Sequence, residues 1–110
     1  MNLTDDHQVL VPVIRRSEYT LSLEQANADT TFVHCTTHVP WTGRVRKQLT
    51  GDVTTLLTLH GGPLHAIIRP DDLKLQRFAR IMNAEHVATL TDLTTGQTDL
   101  IYRSRDTHDG

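Results

Sequence analysis

A chain of 110 residues has room for one domain and one core. Apolar residues make up 37%, with one Trp, two Tyr and two Phe, so that core is built mainly from Leu, Val, Ile and Ala. A core this modest leaves room for stabilisation by a partner or by self-association. The formal net charge of −2 excludes a bulk electrostatic case for nucleic acid or an anionic membrane surface, so any basic site must be local.

Residues 1–7 and 104–110 are polar, rich in turn formers and without apolar period, and are expected to be frayed ends of a single domain spanning 1–110. The start "MNLTDDHQ" has no basic segment running into an apolar one, and no stretch approaches the roughly eighteen apolar residues of a membrane span. The one cysteine, Cys35, rules out an internal disulfide and fits a reducing compartment, so the expected location is cytoplasmic. From Gln8 to Ile14, "QVLVPVI" is a strand, and Pro12, which has no N–H for a ladder, puts it at an edge or beside a bulge. "SEYTLSLEQANADT" reads two ways. Tyr19, Leu21 and Leu23 alternate as in a strand, whereas Ser22 with Gln25 three residues on can cap a short helix ending near Asn27.

"TFVHCTTH" is a β-branched strand that ends before Pro40. Thr42 then caps a helix with Val45, Leu49, Val53, Leu56 and Leu57 on one face, stopped by "HGGP". "LHAII" is a short buried strand. "RPDDLKLQRFARIMN" starts at an Asp71 or Asp72 cap, places Leu75, Phe78, Ala79 and Met82 on one face, and ends at Asn83. "EHVATLTD", "LTTGQ" and "TDLIYRSR" form a terminal hairpin.

In the strand around Cys35, alternation puts His34, Thr36 and His38 on one face and Val33, Cys35 and Thr37 on the other. Zinc would need three converging ligands and the segment offers two, so His60 or His65 would have to complete a histidine-rich metal module; two histidines satisfied on a half-buried strand are the simpler reading. Cys35, facing away from both, reads as a small buried hydrophobe rather than a nucleophile. The helix start carries the stronger signal. Arg44, Arg46 and Lys47 crowd a first turn with no acid before Asp52, beside unpaired amides that favour negative charge. Either the turn is simply solvated or an anion such as a phosphate sits there, with Gly43 allowing close approach and Trp41 packing on a ring or a pantetheine-like arm.

The order strand, phosphate-facing turn, helix, strand, helix, hairpin resembles the C-terminal half of the GNAT (N-acetyltransferase) superfamily over Thr31 to Arg103. "TFVHCTTHVPWTGRV" with "LLTLHGGPLHAII" and "PDDLKLQRFARIMNAEHV" looks most like small divergent GNAT-like proteins of tailed bacteriophages, a group that includes both enzymes and virion components. The resemblance implies an α+β, truncated GNAT-like fold: a mixed central sheet flanked by two amphipathic helices, with a C-terminal hairpin. It implies acetyl-CoA as cofactor, with Cys35 and Thr36 of a splayed strand pairing with the pantetheine arm and Trp41, Thr42, Gly43, Arg44, Val45, Arg46 and Lys47 forming the pyrophosphate loop. The family's loop runs Gln or Arg, two residues, Gly, one residue, Gly or Ala; here Pro40 and Val45 flank Gly43, and Val45 would crowd the backbone approach. At the family's acid, a Tyr that protonates the leaving thiolate, stands Ala79. An active form would use His34 or His38 as base and Tyr102 as substitute acid. The alternative is an inactive GNAT-fold module that binds protein, as a phage virion component or a modulator of a host protein, in the host cytoplasm or the virion.

Overall fold

The computed structural model describes residues 10–105. Six strands and two helices follow in the order β1 (Val11–Arg15), β2 (Tyr19–Asn27), β3 (Thr30–Thr37), α1 (Gly43–His60), β4 (His65–Ile68), α2 (Leu73–Ile81), β5 (Ala84–Thr91) and β6 (Thr98–Ser104). The chain is thus α+β. All six strands form one mixed sheet in the spatial order β1-β2-β3-β4-β6-β5, with β3 and β4 parallel and every other neighbouring pair antiparallel.

Local chemistry explains the element ends. The Thr42 side chain accepts from the Val45 N–H at the start of α1, and Asp72 accepts from the Leu75 N–H at the start of α2. Gly61, at φ 75°, closes α1 in the left-handed region, and Asn83, at φ 56°, follows α2 in the same conformation. β1 is an edge strand with a bulge between Pro12 and Ile14, as the proline requires.

The ambiguous segment is a strand. Its Ser22/Gln25 helix signal loses because β2 finds a ladder on both sides, β1 and β3, while Tyr19 and Leu21 become fully buried on one face. Those two residues, with Val33, Ala66 and Ile68, pack in one cluster with Val45, Leu49, Val53 and Leu56 of α1 and Phe78, Ala79 and Met82 of α2. Both helices therefore cover the same face of the sheet, and they touch each other. Among the described residues the other face, bearing His34, Thr36, Ile67 and Arg103, has no helix on it.

Ser104 does not fray. It ends β6, is buried, and its hydroxyl accepts from the Leu64 N–H at 2.9 Å while its own N–H donates to the Leu64 carbonyl. Arg105 likewise donates its N–H to the Asn83 carbonyl at 3.1 Å, and the other expected frayed residues, 1–7 and 106–110, lie outside the described residues.

Candidate functional site

Parallel strands need continuous slanted bonds to stay together, and β3 and β4 share only the register pair Phe32 with His65. Among the described residues β3 has no further register partner in β4 beyond Phe32. A cavity of about 110 Å³ lies on the helix side beside this part of β3, lined by Cys35, Thr37, Trp41, Asp72, Lys74, Leu75 and Phe78. It sits between the beginnings of α1 and α2. A larger open groove of about 1060 Å³ lies at the opposite end of the molecule, where both helices finish. That groove contains none of the candidate catalytic or cofactor-binding residues, and Glu85 there lies 3.8 Å from Arg103 and 3.7 Å from Arg105.

Of the loop residues only Trp41 lines the smaller cavity. Trp41 is half-buried against the core and forms a wall. Gly43 is open: a Cβ there would meet nothing within 4 Å. Val45 does not crowd the approach, because its side chain is buried against the core, one turn before Leu49. The basic first turn also differs from expectation. Arg44 is neutralised from within the chain, its guanidinium 3.5 Å from Glu18 in the turn between β1 and β2. Glu18, held below the usual carboxylate range by its own backbone N–H and by Ser17, also accepts from Gln48 at 3.4 Å. An acid distant in sequence thus meets one of the three cations at the start of α1. Arg46 and Lys47 remain exposed.

The three catalytic candidates do not converge. His34 and His38 are on the open face, where the His34 Nε2–H donates to Glu24 at 2.7 Å and His38 Nε2 pairs with the Thr20 hydroxyl at 2.9 Å. Tyr102 lies two strands from β3, opposite Ala66 on the helix face, and packs on His86 with ring centroids 5.5 Å apart. Register parity, which sends alternate residues to opposite faces, separates it from the histidines. Thr36 is exposed beside His34. Among the described residues, no three His, Cys, Asp or Glu side chains converge as metal ligands.

Cys35 is the only nucleophilic thiol, and burial pushes its pKa up to about 11. At pH 8 a thiol of that pKa is thiolate to roughly one part in a thousand. Alkylation of the folded protein by iodoacetamide at pH 8 is therefore expected to be far slower than that of free cysteine and to rise steeply toward pH 11. Labelling at the free-thiol rate would contradict this placement.

Sequence reasoning used Asp72 only as a cap and passed over Lys74 and Glu24. Asp72 and Lys74 belong to the cavity wall because α2 starts beside the end of β3, and Glu24 meets His34 through the β2–β3 register; neither proximity has a signature in one linear segment. No family model, no curated protein and no solved structure matches this chain.

Proposed function

We propose that the chain is a reduced GNAT-like module whose wedge between β3 and β4 takes the pantetheine arm of acetyl-CoA or a related acyl-CoA, for transfer of the acyl group to an amine. The observation that carries this reading is the single register pair between β3 and β4, beside a cavity lined by Cys35 and Thr37 of β3 and by residues at two helix starts. Free strand amides can bind a pantetheine amide and polarise a thioester carbonyl, as the resemblance implies. Arg46, Lys47 and the open backbone at Gly43 would face the pyrophosphate. His34, bonded to Glu24 on the sheet face opposite the cavity, would accept a proton from an amine approaching on that face. A bound acyl-CoA would supply the thioester for attack by the amine, and the thiolate that leaves when its C–S bond breaks would take its proton from solvent, since buried Ala79 supplies none.

A second reading, an inactive GNAT-fold module that binds a protein in a virion or host cell, is favoured by that same Ala79 and by the separation of Tyr102 from the two histidines. One titration separates the two. Trp41 is the sole tryptophan and lines the cavity, so acetyl-CoA is expected to change its fluorescence saturably below millimolar concentration, with release of free thiol when an amine acceptor is added. Saturable binding without thiol release from any amine supports the inactive module. No change at millimolar acetyl-CoA removes the coenzyme reading altogether.

A further inference from the structure

We infer that β5 is a homodimerisation edge: a second copy of the chain lays its own β5 antiparallel alongside, about a two-fold axis at Thr89, and the two sheets become one. The two edges of the sheet are built differently. Both edge strands carry a bulge, but β1 also has Pro12 and Arg15, which blunt an edge against further pairing. β5 is longer, and from Val87 to Thr91 it has neither proline nor charge. Leu90 on it is 58% exposed, and among the described residues no strand lies beyond it.

The alternation of an antiparallel ladder identifies which main-chain groups are free. The Asp92 N–H donates to the Gln97 carbonyl at 2.8 Å where the hairpin closes. Stepping along the ladder, Leu90 and Ala88 turn their N–H and C=O toward β6, whereas Thr89 and Thr91 turn theirs outward. Thr89 set opposite Thr89 of the second copy would exchange both N–H···O=C bonds with it. Opposed residues share a face, so the same register places Leu90 against Ala88 of the second copy on the open side of the sheet, next to Ile101, which β6 pairs with Ala88. Identical strands lying antiparallel bring no like charges together here, because the paired stretch has none. The β-bulge between His86 and Ala88 ends the regular pairing, so the ladder is short and the dimer weak, in the micromolar range.

Sedimentation equilibrium from low to several hundred micromolar is the test. The mass is expected to climb from 12.4 kDa toward twice that value. Thr89→Pro removes an outward N–H but no bond to β6, so it is expected to hold the protein at the monomer mass with an unchanged circular dichroism spectrum. Should that variant not fold, Leu90→Lys at the exposed neighbouring position is expected to raise the dissociation constant at least tenfold. A chain that stays monomeric throughout, or a dimer indifferent to both substitutions when folded, overturns the proposal.

Discussion

Leu49→Ala will destabilise the protein by about 2–5 kcal/mol, the usual range for emptying a fully buried leucine site. Leu49 is 0% exposed and sits in the middle of the stripe Val45, Leu49, Val53, Leu56 by which α1 is held to the sheet. The sheet on that side offers Tyr19, Leu21 and Val33, all held in the β2–β3 ladder, so the vacated volume is not easily refilled. With one small core, each kcal/mol moves the thermal midpoint by roughly 4–8 °C, which makes the loss obvious in a melting curve. Leu59→Ala on the same helix is the control: Leu59 is 79% exposed and its truncation is expected to stay within about 0.5 kcal/mol. Equal losses at the two positions would mean that α1 presents a different face to the sheet.

Asp52→Ala is the second large effect. Asp52 accepts from the Arg16 Nε and Nη2 at 2.8 Å each and from the Tyr19 hydroxyl at 2.5 Å, so one carboxylate ties β2 and the turn before it to the middle of α1. Removing it strands the hydroxyl of Tyr19, a residue with no exposed surface, at a cost of about 1–3 kcal/mol. The same cluster makes stability depend on pH. Arg16, as the largest cause, and Tyr19 hold the Asp52 carboxyl below the usual carboxylate range. The unfolded chain therefore takes up a proton at a pH where the folded chain does not. The Asp52 contribution is complete above the ordinary carboxylate pKa of about 4 and is lost as pH falls through the lower folded value. Glu18 and Asp92, also held low, add to the same acid slope.

Tyr19 acts in the opposite direction. Burial, and then the hydrogen bond to Asp52, push its phenol pKa up. Its contribution is complete below the ordinary phenol value of about 10 and disappears as pH rises through the raised folded value. Burial also holds His65 below the usual imidazole range and pushes the Cys35 thiol up, so the melting temperature of the wild type is expected to start falling below about 6.5, to fall more steeply below about 4 and to fall again above about 9. In Asp52→Ala the whole profile should sit lower, with a shallower acid limb. An acid limb unchanged by the substitution would show that Asp52 is not held low.

The helices were legible in the sequence because each of their determinants is local. Thr42, Asp72, Gly61 and Asn83 act on backbone groups within a turn of themselves, and the apolar stripe of α1 repeats at a helix period within one segment. The hairpin and the Pro12 edge were legible for the same reason. β2 was not, because two local patterns competed in one stretch and only the ladders on either side chose between them. In the candidate site, face parity along β3 separated Cys35 from His34 and His38 from sequence alone, since a strand alternates whatever it packs against. The basic start of α1 was legible as a cluster, but the contact of Arg44 with Glu18 was not, because that acid comes from the β1–β2 turn.

Taken alone, the sequence determined where helices start and stop, which residues each buries, and which side chains share a strand face, for all of these follow from hydrogen bonds and periodicities a few residues long. Only the tertiary structure decided that β6 slips between β4 and β5, that β3 and β4 share a single register pair, and that Asp52 and Glu18 anchor α1 to the opening strands. Those features depend on where distant segments meet, and the free energy that selects among such meetings comes from burying one shared core rather than from any single stretch of chain.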